Sequence, residues 1–154
     1  MRIIPAAFPE DTATVRALFR AYLEGLGIDL GFQGIEAELA DLPGRYAPPL
    51  GTVLLARAAQ GPALGVVAMG PLAPGIAEMK RLYVSPAGRG RGLGQALVAA
   101  IIAAARAAGY RHMRLDTLDT LTPALAIYAR MGFRPIGNYN ASPLPGIRHF
   151  ELTL

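Results

Sequence analysis

The sequence predicts an α/β fold of the α+β kind, with a mixed, mostly antiparallel central sheet of about six to seven strands flanked by about four helices. Three observations carry this. Thr52 to Arg57, Ala63 to Gly70 and Ile76 to Val84 are three apolar runs joined by short Gly/Pro turns, the pattern of an antiparallel meander. An almost uniformly apolar run from Leu93 to Ala108 follows and reads as a helix covered on most sides. Beyond it, His112 to Thr117, Leu125 to Ala129, Phe133 to Ile136 and Ile147 to Leu154 alternate strand, helix, strand, strand.

In order, Arg2 to Ala7 is a short opening strand, and Pro5 suits a sheet edge. Asp11 or Thr12 caps a helix whose Val15, Leu18, Phe19, Tyr22, Leu23 and Leu26 share one face, with Gly25 and Gly27 ending it. Tyr22 at this spacing is packing first and a ligand edge second. A shorter helix runs from about Gln33 to Leu42, Ile35, Leu39 and Leu42 inward and Glu36, Glu38 and Asp41 on other faces. With Asp29 these acids form the main negative cluster, either a solvated face or an attraction for a cationic amine. Pro43 to Pro49 is a rigid loop, and Pro71 to Gly75 a turn. In Ile76 to Val84 the polar Glu78, Lys80 and Arg81 break the alternation, so this strand lines a site or is a charge-guarded edge. Arg106 suits the negative end of the long helix, and Gly109 its C-terminus. Thr120 or Thr122 caps the last helix, with Pro123 in its first turn and Gly132 as its stop.

Composition narrows the function. A chain of 154 residues, 53% apolar and 17% charged, fits one domain over 1–154 with a real core. No cysteine is present and only His112 and His149, so neither a thiolate nucleophile nor a metal centre is expected. The opening residues lack the apolar stretch of a secretory leader, and no run approaches the roughly 20 residues of a bilayer span, so a cytoplasmic protein without a membrane partner is expected. The net charge of +4 raises nucleic acid as a partner, but the basic residues are spread and no basic arm appears; a single anion site is preferred.

That site is Arg89-Gly90-Arg91-Gly92-Leu93-Gly94, between a strand and a helix. Backbone N–H groups in such a turn cradle anionic oxygens, and the helix N-terminus adds more. The glycines admit a ligand close to the main chain, and Arg89 and Arg91 add charge. A phosphate or pyrophosphate seat follows. Dinucleotide-type G-x-G-x-x-G spacing fails at Leu93 and Gln95, and the Gly-Lys-Ser/Thr of a P-loop is absent.

Arg89-x-x-Gly92-x-Gly94, preceded by Leu82-Tyr83-Val84-Ser85-Pro86 and followed by Ala124-x-x-x-Tyr128-x-x-x-Gly132-Phe133, resembles the GNAT superfamily of N-acetyltransferases, and the element order resembles it over nearly the whole chain. The resemblance implies acetyl-CoA as cosubstrate, its pyrophosphate on the backbone of Arg89, Gly90, Arg91, Gly92, Leu93 and Gly94. It implies a splayed strand pair whose slot takes the pantetheine arm along Leu82, Tyr83 and Val84, by strand addition. It implies Tyr128 as general acid toward the departing thiolate and Glu78 as base toward the amine. The Tyr128 and Glu78 readings without it are core packing and a strand-end charge. Many members carry asparagine where this chain has Leu121. The expected function is direct acetyl transfer to a primary amine of a small molecule or amino-acid-like acceptor. The alternative is a non-catalytic acyl-CoA-binding regulatory module. Acceptor specificity is expected from Asp29 to Pro49 and Asn138 to Gly146, with Arg45, Tyr46, Glu36 and Glu38 as candidate lining residues. Homodimers are common in that family.

Overall fold

The computed structural model describes residues 1–27 and 34–154. Asp29 and Gln33, which the acidic cluster and the second helix were expected to include, lie outside the described residues. Seven strands form one sheet in the order β1-β2-β3-β4-β5-β7-β6: β1 (Arg2–Pro5), β2 (Thr52–Arg57), β3 (Ala63–Ala73), β4 (Ile76–Val84), β5 (His112–Leu118), β6 (Arg134–Ile136) and β7 (Ile147–Thr153). The helices are α1 (Thr12–Gly25), α2 (Ile35–Ala40), α3 (Leu93–Ala107) and α4 (Thr122–Arg130). All pairings are antiparallel except β4–β5.

Side-chain alternation divides the core between the sheet's two faces. Leu54, Ala56, Val67, Met69, Ala77, Met79, Met113 and Leu115 pack under α3 and α4. Val53, Leu55, Val66 and Ala68 pack under α1 and α2 with Val15, Phe19, Leu39 and Tyr46. α3 earns its place through Leu97, Val98, Ile101, Ile102 and Ala105, all buried. Small residues between them bring its axis close to the sheet.

β4 departs from regular alternation in one place. Val66 of β3 faces Tyr83 and Ala68 faces Lys80, so Arg81 and Leu82 together oppose Val67. This is a β-bulge, with the extra residue Arg81 at φ 63. It inverts the faces. Before it, the odd-numbered Ala77 and Met79 join the α3 core; after it, the even-numbered Leu82 and Val84 do. The expectation of a polar strand lining a site, rather than a guarded edge, fits this place: β4 is the middle strand of the seven.

Some expectations are corrected. β3 continues through Pro71, which stands opposite Ala77 and beyond the last β2 partner, Thr52 opposite Met69; a proline there interrupts no β2–β3 bond. Leu121, not Thr120 or Thr122, occupies the cap position of α4. Asp11 sits at the α1 cap, but its carboxylate accepts from the Ala7 N–H and from Arg57 instead. Among the described residues, no helix is long and apolar enough to cross a membrane.

Candidate active site

The parallel pairing of β4 and β5 lasts only from Ile76–His112 to Glu78–Arg114. Beyond it the strands part, while β5 remains paired to β7 along its whole length. The gap exposes the backbone of the second half of β4. A cavity of about 600 Å³ opens there, lined by Leu82, Tyr83 and Val84 on β4 and by Arg89, Gly90, Gly92, Leu93 and Gly94 of the glycine turn. Leu121, Ala124, Ile127 and Tyr22 complete its walls. Arg91, expected at the same seat, is exposed and is not among the lining residues.

The turn's conformation explains its glycines. Gly90 and Gly92 have φ of 78 and 71, where side chains are strained, and a Cβ on either would meet open space rather than protein. The first bond of α3 is Ala96 N–H to the Gly92 carbonyl at 3.1 Å, so the N–H groups of Leu93, Gly94 and Gln95 have no helical acceptor. All three residues line the cavity. The site therefore combines uncommitted N–H donors, a helix N-terminus and two arginines, Arg89 and Arg130, around a volume large enough for a nucleotide-sized acyl carrier.

A second, small cavity of about 40 Å³ lies where the strands diverge, between Lys80, Arg81 and Leu82 of β4, Leu115, Asp116 and Thr117 of β5, and Tyr22 and Tyr128. Tyr22, Leu82, Leu121 and Ala124 line both cavities, so the two adjoin. Tyr128 is buried, its ring edge-on to Phe133 at 5.6 Å between centroids. Burial, with smaller contributions from Tyr22 and the Asp116 charge, pushes its phenol far above the ordinary tyrosine value. The ring packs in the core and the same residue borders the small cavity.

Glu78 is buried, and both of its oxygens are engaged. Oε1 accepts from Arg45 Nη1 at 3.0 Å, and Oε2 accepts from the Tyr139 hydroxyl at 2.6 Å. It lines neither cavity. Burial, then the Glu78 charge, raises the Tyr139 phenol well above its usual range. Arg45 also donates to the Pro71 carbonyl, so it is committed to β3 and β4 rather than to an open pocket. Tyr46 is wholly buried and donates to Glu38. Glu38 itself is a correction. Three residues after Ile35 it shares the inward face of a six-residue helix, and it accepts from Arg81 as well. Glu36 does lie outward, paired with Arg20.

Sequence reasoning passed over Asp116, Tyr139 and Asn140. The Asn140 amide donates to Asp116 Oδ2 at 2.7 Å, and its carbonyl oxygen lies 3.0 Å from His149 Nε2. The signal for Asp116 was present: it takes the polar parity of β5, between the buried Leu115 and Thr117. Tyr139 and Asn140 sit in an irregular segment, where no periodicity points inward. Among the described residues no cluster of three or more metal-ligating side chains occurs.

Comparisons with known proteins agree with this geometry. Residues 32–133 match the model of the acetyltransferase (GNAT) family. The chain is 44% identical over 147 residues to an uncharacterized N-acetyltransferase of Schizosaccharomyces pombe, covering 95% of this chain and 90% of the relative. A Klebsiella pneumoniae protein named for acyl-CoA N-acyltransferase activity superposes with a TM-score of 0.78 at 30% identity, covering 99% of this chain and 97% of that one. A Salmonella typhimurium acetyltransferase solved with acetyl-CoA superposes with a TM-score of 0.75 at 21% identity, over 99% and 92% of the two chains.

Proposed function

The chain belongs to the acetyltransferase (GNAT) family, and from that premise we propose that it transfers the acetyl group of acetyl-CoA directly to a primary amine of a small molecule. The observation that carries the reading is the continuity of the two cavities. The larger one offers phosphate-binding N–H groups at the α3 N-terminus, and the smaller one brings polar side chains to the point where β4 and β5 part. The acetyl-CoA of the Salmonella structure supports the identity of the donor.

The pyrophosphate rests on the turn from Arg89 to Gly94, Arg91 contributing charge from outside the cavity wall. The pantetheine arm runs along Leu82, Tyr83 and Val84, where β4 has lost its β5 neighbour and keeps only β3. Ribbon-like pairing there orients the thioester toward the small cavity. An N–H near the bulge, at Leu82, stabilises the oxygen that becomes negative as the amine nitrogen adds to the carbonyl.

Proton movements close the cycle. The acceptor arrives as an ammonium ion and loses one proton before attack. Glu78 is the base; as neither it nor Tyr139 lines a cavity, the proton reaches it through a water and the Tyr139 phenol, which donates to Glu78 Oε2. A C–N bond forms, the C–S bond breaks, and the thiolate takes a proton from Tyr128. The phenol then recovers the second proton of the amine nitrogen. The sum is one amide, one CoA thiol and one released proton. A raised phenol stays protonated across the working pH range, as a general acid must.

The test is thiol release from acetyl-CoA with a panel of primary amines, followed by mass detection of the acetylated product. CoA release with an acetylated amine is the expected result; acetyl-CoA binding with no amine acetylated would refute the reading.

A further inference from the structure

Charged side chains surround the splay beside α2, and most are committed. Glu78 holds Arg45 and Tyr139. Arg81 holds Glu38. Arg114 Nε donates to Glu151 at 2.8 Å. Lys80 and Asp116 are different. They stand on the two diverging strands, their side chains 14% and 13% exposed, with Nζ and Oδ1 3.8 Å apart. That separation attracts but does not make a hydrogen bond. Among the described residues Lys80 makes no side-chain hydrogen bond, and Asp116 Oδ1 accepts none, its other oxygen being taken by Asn140. Both residues line the small cavity.

A lysine and an aspartate this sheltered ordinarily close on each other. Here each keeps hydrogen-bonding capacity toward the same enclosed space. About 40 Å³ admits the charged end of a ligand and not the whole of one. Tyr22 and Tyr128 bound the same space, so a nitrogen held there lies beside the proposed acid.

Resting on the acetyl-transfer reading above, we propose that the acceptor is an α-amino acid or a closely related zwitterion, its ammonium seated on Asp116 Oδ1 and its carboxylate on Lys80. The ammonium nitrogen and the carboxylate carbon of an α-amino acid are bonded to one common carbon, so one molecule brings both charges to the pair and replaces a long contact by two charge-assisted hydrogen bonds. Asn140 holds Asp116 from behind, and His149 holds Asn140. The acceptor's own side chain points away from the enclosed space, toward the segment that carries Tyr139 and Asn140.

The experiment uses the full chain with acetyl-CoA and matched trios: alanine, aspartate and phenylalanine, each beside its α-amide and its decarboxylated amine. For at least one trio the amino acid exceeds both analogues in kcat/KM by roughly tenfold or more, because each analogue leaves one buried charge unpaired. Lys80→Met and Lys80→Gln collapse that ratio toward one, and acetyl-CoA affinity measured by calorimetry reports that each variant is folded. Turnover of amines without preference for the zwitterion, or a ratio unchanged in both lysine variants, overturns the acceptor assignment and leaves acetyl transfer standing. Bound acetyl-CoA with no turnover of any amine overturns acetyl transfer, and the acceptor assignment with it.

Discussion

Arg81 donates two hydrogen bonds to one carboxylate, that of Glu38: Nε to Oε2 at 3.0 Å and Nη2 to Oε1 at 3.2 Å. The bidentate pair is largely buried, with Arg81 6% and Glu38 18% exposed. It fastens α2 to the bulge of β4, and Tyr46 adds a third bond to the same carboxylate. Arg81 occupies the left-handed region, which costs a residue with a Cβ roughly 1–2 kcal/mol. The pair offsets that cost and keeps the backbone beside the slot in its inverted form.

Glu38→Ala leaves a guanidinium buried without its partner, and stability falls by about 3 kcal/mol. Glu38→Gln keeps one acceptor and falls by less. Urea unfolding of both variants measures the difference. Equal loss in the two would show that the charge pair is not what holds α2.

Gly92→Asp removes the donor seat. A side chain is strained at φ 71, and the new carboxylate repels phosphate. Acetyl-CoA affinity drops by about 100-fold or more, the loss expected when a charge-assisted anion seat becomes repulsive. Gly92→Ala costs about 1 kcal/mol of stability from the backbone alone and binds more weakly by a smaller factor. Calorimetric titration separates the two effects, and unaltered binding by the aspartate variant would move the pyrophosphate elsewhere.

Tyr128→Phe keeps the ring against Phe133 and Phe150 and deletes only the hydroxyl. With the general acid gone, kcat falls by about 10²–10³ while acetyl-CoA affinity is preserved. A variant with full kcat would return this residue to packing alone.

Glu78→Gln and Tyr139→Phe each lower kcat by roughly tenfold to a hundredfold. Because the phenol and the carboxylate act as one relay, the double variant loses little more than either single one. Losses that multiply across the cycle would mean that the two groups work apart.

Buried phenols also set an alkaline limit. Burial raises Tyr46 above its ordinary value, the Arg81 charge opposing it and Glu38 reinforcing it. A group raised on folding contributes its full stability below the unfolded value, about 10 for tyrosine, and loses it as the pH climbs from there toward the folded value. Stability therefore declines above about pH 10. Tyr46→Phe loses about 1 kcal/mol at neutral pH with its bond to Glu38, yet declines less steeply above pH 10. Urea midpoints across the range from neutral to alkaline pH check the sign; parallel declines would exclude Tyr46 as the titrating group.

The sheet, the helices and the glycine turn were legible in the sequence because each rests on local rules. Apolar periodicity placed α1, a long apolar run placed α3, short turns placed β2 to β4, and glycine chemistry marked the turn at Gly90 and Gly92. The charged side chains around the splay were less so. Glu38 was expected outward because it is charged, and Arg81, 43 residues away, together with Tyr46 explains why it faces in. Arg45 was expected in a pocket and instead pairs with Glu78, 33 residues on. Such contacts are set by the meeting of distant elements, which no window of sequence displays. Nor does alternation reveal a bulge: Glu78, Lys80 and Arg81 broke the pattern of β4, and the extra residue is the reason.

That extra residue divides β4 into two half-strands of opposite parity. Glu78 and Lys80 belong to the first, and Leu82 and Val84 to the second. Substitutions before Arg81 alter the charged groups at the splay; those after it alter the wall of the larger cavity. Deleting Arg81 would leave an evenly alternating strand with Leu82 and Val84 still in the α3 core, whereas pairing Arg81 as an ordinary strand residue would turn both out and Tyr83 in. The bulge is thus what lets an arginine leave the strand and reach Glu38 without displacing either half of β4 from the core.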